Sequence, residues 1–335
     1  MTSRERVKRA INFQKPDRIP HYLPDGKTND ILWMWPKKPA PQKSWYNIGD
    51  HDQMTDHWGV TFQRMAGGRI GRGEVLYPSL PDITQQEKFV FPDMNNPGYL
   101  EEIRNQIAGN NRSQDPKYCL GVMSFGSMNE GIHNNMGIQN MFLAYYEHPE
   151  HLKKLIARFA EAQKESIRLL AEAGCDGVMA YDDWGLQDSL MISREMINEF
   201  FMPHYRENWS YAHSLGMDVW LHSCGYIIEI LPDQIDAGLT VVQKDQQENM
   251  GLENLAKKTD HELAFWCPVD IQRTMIEGTL QEIRNYAKKL ITILGSVNGG
   301  YISMAYSTPE DVNHTPEKLT AMSNSFRLHE GYFKK

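Results

Sequence analysis

From residue 98 onward the chain alternates two patterns. Short runs of apolar, strand-forming residues occur at 119–123, 177–181, 218–222, 240–242, 263–266 and about 297–303. Between them lie longer stretches with apolar positions at helical spacing, which predict helices at 99–109, 147–173, 193–215, 226–236, 251–258, 279–293 and 315–329. The longest of these opens at His148-Pro149-Glu150 and closes at Gly174, the proline-first, glycine-last signature of a helix. Uniformly apolar strands separated by helices imply a parallel sheet covered on both faces. A closed (β/α)8 TIM barrel is favoured over an open doubly wound sheet. No Gly-x-Gly-x-x-Gly follows any strand, which removes the dinucleotide-binding form of the open sheet.

The first hundred residues read differently. Val7, Ala10, Ile11 and Phe13, set among Arg and Lys, predict a helix over 3–14. Pro20 then pushes Ile19 to extended geometry and breaks it. From 21 to 95 proline and glycine are frequent, and Trp33, Trp35, Trp45, Tyr46 and Trp58 cluster. Trp58-Gly59-Val60-Thr61-Phe62 and Lys88-Phe89-Val90-Phe91 read as short strands or hairpin arms. This stretch is expected to be an irregular elaboration packed over one end of the barrel, its aromatic residues forming its own core, with a wall of a binding pocket as the less favoured alternative. Residues 1–335 are expected to make one domain.

Composition narrows the class. The chain has 335 residues, 41% apolar and 23% charged, the balance of a globular protein. A formal charge of −8 disfavours nucleic acid or an anionic membrane as partner. No apolar run approaches the roughly 18 residues of a membrane span. The start, Met1-Thr2-Ser3-Arg4-Glu5-Arg6, leads into an amphipathic helix and not a signal peptide. Four cysteines in this length do not build a disulfide framework. A cytoplasmic, soluble protein is expected.

Sorting reactive residues by strand end adds the chemistry, because barrel active sites form at the C-terminal ends of the strands. Cys119 and Cys175 stand at strand starts and are expected to be structural. His222, Cys224 and Cys267 stand at strand ends, as do Asp182 and Asp183 and the run from Lys244 to Gln246; Asp270 follows Cys267. Residues two apart on a strand point the same way, so His222 and Cys224 project together. With Cys267 they make a three-ligand zinc site with an open fourth position, the catalytic pattern. Asp183 is then a fourth ligand, a hydrogen-bond partner of His222, or the proton donor. Capping of the following turn is the plain alternative for one of the two aspartates.

Several motifs resemble the uroporphyrinogen decarboxylase superfamily over nearly the whole chain. They are Arg4-Glu5-Arg6-Val7 with Pro16-Asp17-Arg18-Ile19-Pro20, Asp182-Asp183-Trp184-Gly185, Pro203-His204-Tyr205, His222-Ser223-Cys224-Gly225, and Gly299-Gly300-Tyr301-Ile302 with Thr315-Pro316-Glu317. The resemblance implies an eight-stranded barrel, in agreement with the pattern. The decarboxylases themselves use no metal and carry a Met-Arg-Gln-Ala-Gly-Arg motif; nothing like it occurs between residues 20 and 60. The zinc- and corrinoid-dependent methyltransferase branch uses a His-x-Cys pair, which His222 and Cys224 match. Its thiol-methylating members add a distant Cys near the C-terminus, and Tyr301 to Ser307 contain none. Members that demethylate phenyl methyl ethers vary their ligands, and Cys267 is the candidate here.

The resemblance therefore implies methyl transfer from a small donor, a methoxyarene, to the cobalt of a corrinoid. The corrinoid is carried by a separate protein, and zinc serves as Lewis acid. Asp183 is the expected catalytic residue, with Trp184, Gln187, Gln246, Trp266 and Tyr301 binding substrate and the two tryptophans walling the arene. A homodimer is compatible with the chain. Methyl transfer involving a thiol, a decarboxylase or lyase of the same fold, and a barrel that only binds a ligand are the alternatives.

Overall fold

The computed structural model describes residues 1–37, 44–68, 73–93, 98–124 and 127–331. Eight parallel strands form the centre: β1 (His21–Tyr22), β2 (Ile31–Met34), β3 (Tyr118–Val122), β4 (Gly177–Tyr181), β5 (Asp218–His222), β6 (Val241–Gln243), β7 (Ala264–Cys267) and β8 (Tyr301–Met304). Their hydrogen-bonded order is β1-β8-β7-β6-β5-β4-β3-β2, a nearly closed barrel with flanking helices. The fold is a TIM barrel. No helix among the described residues is long and apolar enough to cross a membrane.

Strand alternation sorts side chains into two layers. Leu120, Met179, Trp220, Val241, Trp266 and Ile302 point inward and fill the lumen. Val178, Val219, Leu221, Val242, Phe265 and Tyr301 point outward into the helical layer. Val7 and Ile11, from the helix Ser3–Ile11, close the lumen from the N-terminal end.

The open seam between β1 and β2 is stitched by Asp30. Its N–H donates to the His21 carbonyl at 2.9 Å, and its carboxylate accepts the His21 N–H at 2.8 Å. Arg6 and Arg18 hold that fully buried carboxylate at 2.7 and 2.8 Å, and Asp17 holds Arg6 at 2.5 Å. The Arg6 and Asp17-Arg18 motifs thus serve barrel closure.

The stretch from 21 to 95 does more than elaborate. It supplies β1 and β2, two barrel strands too short to show a period. It also holds an antiparallel sheet of Tyr46–Ile48, His51–Thr55, Thr61–Met65 and Glu74–Tyr77, with its own core of Met54, Val60 and Phe62. Positions 38–43, 69–72 and 94–95 lie outside the described residues. The expected strand at 88–91 is not formed. Phe89 and Phe91 instead wedge against Trp58 and Phe159, where rings stack better than a ladder would.

Helices Asn129–Met136 and Ile138–Glu147 enter between β3 and the helix Pro149–Ala173, where none was expected. The expected helix at 193–215 breaks at Phe201 into Arg194–Phe200 and Met202–Ser214, and that at 226–236 shortens to Leu231–Ala237. The first helix ends at Ile11, three residues early, and the last strand starts at Tyr301 and not near 297; the other boundaries agree within about two residues, and β4 and β5 agree at both ends.

Candidate metal centre

The site forms where β4, β5 and β6 end side by side. Register sets one row across the lumen: Tyr181 pairs with His222, His222 with Gln243, and Gln243 with Trp266. Alternation continues beyond the strand ends. Asp183 turns inward like Tyr181, while Asp182 and Trp184 turn outward. Cys224 turns inward like His222, while the Ser223 hydroxyl accepts the Trp184 N–H at 3.1 Å in the outer layer.

The two turns that follow touch backbone to backbone. A Cβ at Gly225, which has φ +69°, would lie 2.2 Å from the Gly185 oxygen, and one at Gly185 would lie 2.3 Å from the Tyr226 nitrogen. Only glycine fits either position. This explains why Asp-Asp-Trp-Gly and His-Ser-Cys-Gly both end as they do.

Asp183, His222 and Cys224 converge, each offering one donor atom within 4.8 Å of the others. Cys224 Sγ lies 3.3 Å from His222 Nε2, and Nε2 lies 3.6 Å from Asp183 Oδ1. The Cys224 N–H donates to Asp183 Oδ1 at 2.6 Å, tying the two turns together. Gln243 sets the imidazole. Its amide nitrogen donates to Asp245 Oδ1 at 2.8 Å, so its oxygen faces His222 Nδ1. An amide oxygen only accepts, so Nδ1 carries the proton and the Nε2 lone pair points at Cys224 and Asp183. A metal-binding histidine needs this support on its far nitrogen.

Electrostatics agree. Burial pushes the Cys224 thiol up, and the Asp183 carboxylate adds to this, while Lys244 opposes it. Burial also raises the Asp245 carboxyl and lowers the Lys244 ammonium to about 8. A thiol that resists losing its proton to water yields it to a soft cation. Zinc bonds of about 2.0–2.3 Å at tetrahedral angles put neighbouring donors roughly 3.3–3.6 Å apart, and the separations from His222 Nε2 to Cys224 and to Asp183 match. The carboxylate, imidazole and thiol therefore fit a zinc ion.

Several expected placements change. Cys267 is not in the group. Trp266 takes the inward position, so Cys267 faces the helices, beside Tyr301, whose hydroxyl donates to the Cys267 carbonyl at 2.8 Å. Asp183 stands where the third ligand was expected. Trp184 and Tyr301 are fully buried in the outer layer, again by alternation, and reach no lumen space. Gln246 accepts the Gly225 N–H at 2.7 Å and props the Cys224 turn. Gln187 is exposed and reaches Asn249 at 3.2 Å, and Trp266 is buried in the lumen.

Asp182 is a cap, though of a different element than expected. It accepts the N–H groups of Met128, Asn129 and Glu130 at the start of Asn129–Met136, and the Tyr205 hydroxyl. Burial raises its carboxyl to about 7 against those bonds. Asp270 likewise accepts Arg273 and Thr274 N–H groups. Cys119 and Cys175 are buried in the outer layer, away from the group.

Tyr181 and Gln243 were not expected at the site, and Trp33 and Trp35 take the less favoured of their two expected places, a pocket wall instead of the core of the elaboration. Tyr181 lies 5.3 Å from the His222 ring, Trp33 lies near-parallel to Tyr181 at 6.5 Å, and Trp35 lies 5.5 Å from Tyr181 and is exposed. Their rings wall the mouth of the lumen. The only signal was local: Ile31-Leu32-Trp33-Met34 is a short apolar run, and Gln243 is a polar residue ending one.

Comparison with known proteins places this geometry. The model of the family described as Uroporphyrinogen decarboxylase (URO-D) matches residues 124–327, more than half of the chain. The chain belongs to the URO-D family. The uroporphyrinogen decarboxylase of Chlorobium phaeobacteroides is 21% identical over 266 residues, which is 74% of this chain and 70% of that protein. Among solved structures, a methyltransferase from Methanosarcina mazei superposes with a TM-score of 0.69 at 14% identity, covering 98% of this chain and 99% of that one. At that identity the match speaks for the fold. The matched family segment contains β4 to β8 and with them Asp183, His222 and Cys224.

Proposed function

We propose that this URO-D family protein is an enzyme of methyl transfer, moving a methyl group from a small donor, a methoxylated arene, to the cobalt of a corrinoid on a separate protein. One observation carries the reading: Asp183, His222 and Cys224 converge at the strand ends with the His222 tautomer set for metal binding. The full-length likeness to a methyltransferase supports it. Asp183, His222 and Cys224 would hold a zinc ion, which would supply Lewis acidity toward an ether oxygen.

The chain's own residues do the rest. Trp33, Trp35 and Tyr181 offer flat faces to an arene beside His222. Gln243 and Asp245 hold the imidazole so that no reorientation accompanies reaction. Asp183 acts as ligand, since its Oδ1 already faces Nε2. Trp35, at the edge of this aromatic group, is exposed and available to a partner.

The test has two parts. Protein purified without added metal is expected to hold about one zinc per chain, and Cys224→Ala to hold none. Methyl transfer from methoxyarenes to a reduced corrinoid protein is then read from the cobalt absorption spectrum. Transfer involving a simple thiol but no methoxyarene would favour the thiol reaction. A metal-free, fully active wild type would end the zinc reading.

A further inference from the structure

Lys244 is a charged side chain with 1% exposure, directly after β6. Outward by alternation from Gln243, it sits under the turn that carries Cys224. Its Nζ donates to the Ser223 carbonyl and, at 2.8 Å, to the Gly225 carbonyl. Those two oxygens bracket Cys224. The backbone of Lys244 is tied in turn to the Trp266 carbonyl at 3.2 Å. Burying an ammonium is costly unless it is well bonded. At this position a shorter or apolar residue would leave both carbonyls without a donor.

We infer that Lys244 is a positioning residue for the metal centre, clamping the Ser223 and Gly225 carbonyls so that Cys224 Sγ stays aimed at His222 Nε2 and Asp183. The clamp works from behind the ligands and touches neither metal nor substrate. It complements the bond from the Cys224 N–H to Asp183 and the one from the Gly225 N–H to Gln246. The Ser223 and Gly225 carbonyls and the Cys224 and Gly225 N–H groups are thereby held.

This rests on the metal reading above, and the test separates the two. Zinc affinity is measured by competition with a chromogenic chelator for wild type, Lys244→Met and Lys244→Gln. Cobalt(II)-loaded samples are compared for the thiolate-to-metal absorption band, and melting is recorded in parallel. Lys244→Met is expected to lose about 10–100-fold in zinc affinity, the scale of outer partners of metal ligands. Its thiolate band should weaken, a change that lowered stability alone does not produce. Lys244→Gln serves if the Met variant fails to fold; it cannot span to both carbonyls, and its affinity should fall too. A folded variant with wild-type affinity and an unchanged band overturns the role of Lys244 while the metal reading stands. A wild type that binds neither zinc nor cobalt overturns both.

Discussion

The two ends of the barrel handle charge in opposite ways. At the N-terminal end, one helix supplies the cations. Arg4 meets Asp176 at 2.9 Å, Arg6 meets Asp30 at 2.7 Å, and Lys8 meets Asp218 at 2.7 Å. Those acids stand at the starts of β4, β2 and β5, so Ser3–Ile11 bolts three strands together. At the C-terminal end the acids Asp183 and Asp245 gather with Cys224, and each lies within 4.0 Å of a ring nitrogen of the neutral His222 imidazole. Lys244, the cation nearby, gives its Nζ to carbonyls. The chain neutralises its own acids at one end. At the other it leaves a carboxylate, an imidazole and a thiol facing one point, which suits a cation from outside.

Breaking the N-terminal end should have the largest effect. Asp30→Ala leaves Arg6 and Arg18 without their buried partner and cuts the seam. A loss of about 3–5 kcal/mol is expected in denaturant melts, with metal per folded chain unchanged. If zinc content fell in proportion for the folded fraction, the two ends would be coupled, not separate.

At the C-terminal end, Gln243→Ala removes the acceptor that holds His222 Nδ1. Zinc affinity should drop by about 10–100-fold with little change in melting. Equal affinity would show that the tautomer needs no outside support.

A pH titration sharpens the contrast. The Asp182 carboxyl, raised to about 7 in the folded protein, binds its proton more tightly there than in the unfolded chain, where about 3.9 is usual. Folding is favoured by that group below about 4, and the contribution is lost as pH rises through about 7. Wild type should therefore lose stability over that interval relative to Asp182→Asn, measured on metal-free protein. Parallel curves would show that the three N–H bonds to Asp182 outweigh its burial.

The smallest effect is expected from Cys267→Ser, with Cys119→Ser and Cys175→Ser beside it. Each thiol is buried in the outer layer, so a modest loss of stability with full zinc content should follow. Zinc loss from Cys267→Ser would return that residue to the site.

Much of this was legible in the residues. Gly177–Tyr181 and Asp218–His222 appeared as strands with both ends in place, because each is a short apolar run closed by polar groups. The His222/Cys224 pair followed from the two-residue period alone. At the site and the barrel seam, where reading failed, it failed by one residue or for want of length. Cys267 and Trp266 differ by one position, and that step exchanges lumen for helix layer. Trp184 beside Asp183 shows the same step. His21–Tyr22, at two residues, carries no period at all, and its place is set by pairing with Ser303 and Met304 some 280 residues away.

By itself the sequence determined the repeating strand–helix plan, the end of the barrel that carries chemistry, and two of the three converging donors. These depend on local pattern and on the rule that strand ends share a face. Only the tertiary structure decided the third donor, the tautomer of His222 and the aromatic mouth. Asp183, Gln243 and Trp33 come from three different strands or the turns beyond them. Their meeting depends on how those strands align, and register is a property of pairs of strands, written in neither strand alone.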